Sequence, residues 1–189
     1  LSQEVDNDGD KPRMAIAVNN THYQKLRRLF GHSHHTQDDA AASDDKQFHG
    51  SVWCLLTRYD TLRPHGYQAA LSHHGFRVLE QRLGVDCECF ASPLNCHFGA
   101  GNFCSAFPDT DSMFGSRGSF FDYFPNQGSF EANPPFVPEL MLAMAKHMEL
   151  LLTQSESAAE SSSDNAMSFA VVIPAFDSNQ GQSSRRGGG

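Results

Sequence analysis

At 189 residues, 39% of them hydrophobic and 15 of them Phe, the chain has the size and apolar content of one domain with a core. No apolar run approaches the length of a membrane-spanning helix and no signal-peptide pattern opens the chain, so an intracellular protein without membrane contact is expected. A formal net charge of −8 does not announce a nucleic-acid binder.

Residues 1–13 are acidic and contain Gly, a composition that predicts disorder. Residues 14–30 predict a helix. From Lys11 to Gln37 there are five basic residues (Lys11, Arg13, Lys25, Arg27, Arg28) and no acidic one. Such a face can meet a phosphate backbone, or it can simply be solvated. Residues 31–47 predict a loop. Its His32, His34 and His35 fit a flexible His-rich loop better than a metal site, which needs a rigid surrounding shell. Phe48 to Tyr59 suits either period, with helix preferred. Gly66 to Leu83 predicts a helix closed by Gly84, and Val85 to Ala91 a strand.

The cysteines are Cys54, Cys87, Cys89, Cys96 and Cys104. Cys87 and Cys89 alternate with Val85 as buried thiols on one face do. With Cys96 and His97 they match no common zinc spacing, and an odd number argues against a disulfide framework. Residues 98–130 are rich in Gly, Phe, Ser and Asp with little periodicity, and predict a long irregular loop with its rings anchored to the core. Asp109 and Asp111 are expected to cap turns; a bond from one of them to a ribose hydroxyl is the alternative. The glycine-rich nucleotide fingerprint G-x-G-x-x-G is absent.

Gly128 to Ala132 predicts a short strand, and Pro138 with Glu139 the first turn of a helix. The spacing of Leu140, Met144, Met148 and Leu151 makes one apolar stripe on that helix. Residues 153–167 are low in complexity and predict a mobile loop. Phe169 to Ile173 predicts a buried strand, and residues 177–189 disorder. The middle of this series, strand–helix–strand, is a βαβ unit, and open parallel sheets place ligands outside the carboxyl ends of their strands.

At that end of the first strand lies Asn133-Pro134-Pro135-Phe136. In isolation this tetrapeptide is most simply a turn. In its setting it can hold a planar amino group for methylation. The amine of a base is a poor nucleophile because its lone pair is delocalised into the ring. The Asn133 side-chain carbonyl can accept one N–H and the Pro134 main-chain carbonyl the other, which favours a pyramidal nitrogen with its lone pair freed. Two prolines pre-place these acceptors, and Phe136 offers a face for the base to stack on. The methyl group would come from an in-line sulfonium donor, so the catalysis is mostly positioning.

Four segments together, Glu88-Cys-Phe-Ala-Ser-Pro-Leu-Asn95, Cys104-Ser-Ala-Phe-Pro-Asp-Thr-Asp111, Phe114-Gly-Ser-Arg-Gly118 and Gly128-Ser-Phe-Glu-Ala-Asn-Pro-Pro-Phe136, resemble the phosphorylated CTD-interacting factor family. The likeness runs from about Phe48 to Pro174. It implies an α/β class I S-adenosylmethionine-dependent methyltransferase with a Rossmann-like sheet, apparently truncated on the C-terminal side. The implied domains are an N-terminal segment 1–47, a catalytic core 48–176 and a tail 177–189. The implied reaction is N6-methylation of the 2′-O-methyladenosine next to the mRNA cap. A catalytically inactive cap- or RNA-binding relative, or an amino-methyltransferase with another substrate, is the alternative.

Carried over by position, Asn133, Pro134, Pro135 and Phe136 would be catalytic and would contact S-adenosylmethionine. Ser92, Pro93 and Asn95 would lie near the cofactor, and Glu139 and Phe176 would contact substrate. The family's glutamate two positions past the motif is here Pro138, followed by Glu139. Its Ile-Pro-Glu-Trp is here Ile173-Pro-Ala-Phe176. The family also implies capped mRNA and the phosphorylated C-terminal domain of RNA polymerase II as partners, and a nuclear location. Its WW and helical domains are not visible in this chain, which is therefore expected to be a fragment.

Overall fold

The computed structural model describes residues 2–4, 13–33, 41–61, 71–159 and 166–173. Strands β1 (Ser2–Glu4) and β2 (Arg13–Ala15) pair antiparallel, so the expectation of disorder over residues 1–13 fails at both ends of that segment. Helices α1 (Asn20–Ser33) and α2 (Ala41–Thr61) follow. The loop expected over 31–47 is thus helical at each end. Between them, residues 34–40, which include His34 and His35, lie outside the described residues. Helix preference for Phe48 to Tyr59 holds, and the helix extends a further two turns toward the N-terminus.

Helix α3 (His73–Leu83) is the later part of the helix expected from Gly66; residues 62–70 lie outside the described residues. Its start is capped by Ser72, whose side chain accepts from the Gly75 N–H at 3.2 Å. Gly84 ends it with φ +66°, a left-handed conformation in which a side chain would be strained.

The central sheet runs β4-β3-β5-β6, with β3 Cys87–Ala91, β4 Phe103–Ser105, β5 Gly128–Ala132 and β6 Met167–Val171. All of its pairings are parallel. β5 has the predicted bounds. It connects through α5 (Pro138–Ala159) to β6, which lies beside it, as a βαβ unit requires. The mobile loop expected over 153–167 gives way to helix through Ala159 and to strand from Met167; 160–165 lie outside the described residues. β6 sits two residues earlier than predicted and is an edge strand, not a buried one, with Val171 and Ile173 exposed. An apolar run reads alike for a central strand and for an edge strand.

The irregular loop expected over 98–130 holds β4, a short helix α4 (Pro108–Asp111) and two 3₁₀ turns, Ser112–Phe114 and Phe120–Asp122. It also covers an edge of the sheet. The Arg117 N–H donates to Phe103 O at 2.9 Å and the Ser105 N–H to Gly118 O at 2.8 Å, so the outer side of β4 is paired with backbone.

Alternation along the strands sends side chains to two layers. On one face, Phe103 joins Leu26, Phe30, Phe48, Leu55 and Phe114 beneath α1 and α2. On the other, Cys87, Cys89, Cys104, Phe120 and Phe130 meet Met144 and Leu151 of α5. Of the predicted α5 stripe, Met144 and Leu151 are buried and Leu140 and Met148 half-buried. Val85 packs with Phe76 and Phe98, apart from Cys87 and Cys89. The three therefore do not share one face, because Val85 precedes the strand. Burial holds the Cys89 thiol far above its ordinary value and lifts Cys96 to about 11.

A cleft at the carboxyl ends of the parallel strands

Strands β3, β4 and β5 end side by side, and a cavity of about 500 Å³ opens there. Ala91 and Ser92 line it from the end of β3, Ser105 and Ala106 from the end of β4, and Asn133, Pro134 and Pro135 from the exit of β5. Its apolar wall includes Phe90 and Phe121, whose ring centroids are 6.0 Å apart.

The turn after β3 is fixed from within. The Ser92 N–H and hydroxyl both donate to Asn95 Oδ1, at 2.7 and 2.9 Å, and the Cys96 N–H donates to Ser92 O at 2.8 Å. Asn95 has thus committed its oxygen to the turn. Ser92 and Asn95 line the cleft. Pro93, fully buried, does not and serves to pack the turn.

Beyond β5 the chain leaves the sheet through the two prolines. The Pro135 carbonyl accepts from the Val137 N–H at 2.7 Å, and the Val137 carbonyl accepts from the Met141 N–H at 2.9 Å to start α5. Asn133 is half-buried, Pro134 buried, Pro135 exposed and Phe136 half-buried. Asn133, Pro134 and Pro135 line the cleft, whereas Phe136 does not. Glu139 is exposed in the first turn of α5, also outside the lining. Phe176 lies outside the described residues.

Two carboxyl groups in the lining escaped the sequence analysis. Glu88 on β3 and Glu131 on β5 are in register across the parallel pair. They are 4% and 1% exposed, buried enough that charge there is costly. Glu88 Oε2 accepts the main-chain N–H of His97 at 2.6 Å and of Phe98 at 3.2 Å. Burial raises its pKa and these bonds oppose the rise. Burial, and then the neighbouring Glu88 charge, push Glu131 up to about 8, and Glu131 Oε1 has no hydrogen-bond partner among the described residues. The signal was available: a glutamate inside each of two short apolar strands that flank one loop. What could not be read was that the two strands are neighbours.

Tyr59 of α2 also lines the cleft, and its hydroxyl donates to Asp111 Oδ2 at 2.6 Å. Burial, helped by this bond, raises the pKa of Tyr59. Burial likewise raises that of Asp111, against bonds from Tyr59, Ser105 and Thr110. Asp111 is fully buried, and neither α4 nor the following 3₁₀ turn has a side-chain cap, so the expected capping role is wrong. Asp109 instead pairs with Arg58. Both aspartates tie the loop to α2.

The basic face resolves against a phosphate site for two of its members. Lys25 Nζ donates to the carbonyls of Leu94 and Cys96, at 3.1 and 2.7 Å, bracing the turn after β3. Arg27 pairs with Asp45 and lies over the Phe48 ring. Side chains of Lys11 and Arg13 lie outside the described ones.

Fold and cleft together define an α/β protein with an open cleft at the carboxyl ends of a parallel sheet, the place where such sheets take ligands. The chain belongs to the family described as "Phosphorylated CTD interacting factor 1 WW domain", whose model matches residues 25–185. The described residues within that span fold here around parallel strands. A Mus musculus "mRNA (2′-O-methyladenosine-N(6)-)-methyltransferase" is 46% identical over 165 residues, covering 84% of this chain and 21% of that protein. The Homo sapiens protein of the same description is 45% identical over 165 residues, with the same coverage. This chain therefore spans about a fifth of the length of the curated relatives it matches.

Proposed function

We propose that this chain carries the methyl-transfer site of an S-adenosylmethionine-dependent enzyme of class I, Rossmann-like fold, acting on N6 of the 2′-O-methyladenosine next to an mRNA cap. One observation carries the reading: Asn133-Pro134-Pro135 and, from the turn after β3, Ser92 and Asn95 line one cleft at the ends of adjacent parallel strands. The relatives' description supplies the substrate.

The residues present suit such a cofactor. Phe90 and Phe121 give apolar rings, Ser92 and Asn95 give polar groups, and a buried carboxyl oxygen without a partner among the described residues suits a cationic ligand. The cofactor, when bound, supplies an electrophilic methyl on a sulfonium. Asn133 accepts one N–H of the target amine through its side-chain oxygen. The Pro135 carbonyl is already engaged by Val137, which leaves the Pro134 carbonyl as the motif's second acceptor. Two acceptors hold the nitrogen with its lone pair toward the methyl, and the proline ring walls exclude water. Phe136 lies outside the cleft lining, so a base stacking on it would have to reach beyond the cleft. In the full-length protein, the phosphorylated C-terminal domain of RNA polymerase II would be a partner and the nucleus the location.

A non-catalytic cap-binding relative is the second reading, favoured by the exposed position of Glu139 away from the cleft. Methyl transfer from labelled S-adenosylmethionine to capped RNA beginning with 2′-O-methyladenosine separates the two. Activity is expected on capped and not on uncapped RNA, with a loss of about 10²–10³-fold in Asn133→Ala. Full activity in that variant would refute the proposed role of Asn133. Cap binding without transfer would establish the second reading.

A further inference from the structure

We propose that Glu131, backed by Glu88, is a proton-exchanging acceptor at the floor of the cleft that recognises the cationic ammonium group of the bound ligand. This rests on the cofactor reading above.

Three observations converge on Glu131. It is 1% exposed and lines the cleft, two residues before Asn133, with Oε1 unpartnered among the described residues. A buried carboxyl oxygen left without a donor is costly unless something else meets it. On β3 it faces Glu88, which is its register partner and also lines the cleft. Glu88 has one oxygen fixed by two main-chain N–H groups and is held as an oriented acceptor. On β6 its register partner is Ala170, which brings no charge.

The remaining titratable neighbours are few. Cys89 on β3 feels Glu131, but burial holds its thiol protonated. Tyr59 shares the cleft lining, and burial likewise holds it protonated. No cation among the described residues acts on Glu131; burial and Glu88 alone set its proton affinity.

Lys25 acts on Glu88 and favours its charged form, so of two adjoining buried carboxyls it is Glu131, on which no described cation acts, that favours the protonated form. A cationic group in the cleft reverses that preference. Glu131 then loses its proton to solvent and pairs as carboxylate with the ammonium, one proton leaving for each cation bound. Since ligand-free Glu131 holds its proton up to about pH 8, release occurs at neutral pH and affinity rises with pH.

Calorimetric titration of the full-length protein with S-adenosylmethionine, in buffers of different ionisation enthalpy, counts the protons released. Near one per ligand is expected at pH 6.5, with affinity about tenfold tighter at pH 7 than at pH 6. The neutral analogue 5′-deoxy-5′-methylthioadenosine should release none. Glu131→Gln should abolish both the release and the pH dependence while its affinity at pH 6 stays within about threefold of the parent. Comparison with this variant also cancels the ligand's own titration. Binding of S-adenosylmethionine without proton release, or a pH slope unchanged in Glu131→Gln, overturns the inference and leaves the cofactor reading standing. Failure of S-adenosylmethionine to bind overturns both.

Discussion

Glu131 makes an energetic demand that its neighbours do not relieve. Its proton is held up to about pH 8 in the fold, against an ordinary value of 4.5. Between those limits the folded state binds more protons than the unfolded chain, so stability falls as pH rises from 4.5 through 8, by up to about 1.4 kcal/mol per pH unit. Urea unfolding of the parent at pH 5 and pH 8 should show that loss, and Glu131→Gln should flatten it. An equal pH dependence in the variant would place the titration elsewhere. Tyr59 and Asp111 make the opposite case, a half-buried hydroxyl and a fully buried carboxyl already satisfied by each other at 2.6 Å. Tyr59→Phe leaves Asp111 short of a donor and should cost about 1–3 kcal/mol in the same assay. The motif proposed to supply the acceptors was legible, because Asn133 to Phe136 are adjacent in sequence and their chemistry is local. Glu88 and Glu131 were not, because they lie 43 positions apart and meet only through strand pairing.

Among the elements, β5 and α5 are where local sequence and final structure agree best. The strand needs its Gly128, at φ +130°, where an added Cβ would lie 2.9 Å from the Phe130 ring. The helix starts at Pro138, where a missing N–H costs nothing. α3 is bounded by equally local signals, so Ser72→Ala should lower stability by about 1 kcal/mol through the lost cap, measured by thermal or urea unfolding. Gly84→Ala should also be destabilising because φ is +66° there. An unchanged midpoint in Ser72→Ala would show that the bond to the Gly75 N–H carries no weight. Local reading failed where partners are distant. β4 is three residues long, too short to show a period, and it exists because β3 on one side and Arg117 and Gly118 on the other satisfy its backbone.

For the whole molecule, the aromatic content noted in the sequence serves to join layers. Phe114, in the stretch expected to be irregular, packs 6.1 Å from Phe30 of α1, and Phe30 packs 5.4 Å from Phe48 of α2. Phe114→Ala should cost about 3–5 kcal/mol and loosen the helices and the cleft loop together. A single unfolding transition, seen both by circular dichroism and by Trp53 fluorescence, is the expected outcome. Two separated transitions would show that the α1–α2 layer and the sheet are not one cooperative unit. The sheet edges differ in kind. β4 is covered by backbone of the same chain, whereas Val171 and Ile173 at β6 are exposed.

By itself the sequence determined the βαβ unit, the Gly84 helix end, the Asn133–Phe136 motif and the family, since each depends on residues within one helix turn, one strand or one unbroken segment. Only the tertiary structure decided that β3 and β5 are neighbours, that two glutamates therefore share the floor of the cleft, that Lys25 and Arg27 are spent on internal contacts, and that Asp111 is buried against Tyr59. The physical reason is common to all four. Hydrogen-bond pairing and burial are set by which segments meet, and a one-dimensional pattern records what each segment prefers without recording what it meets.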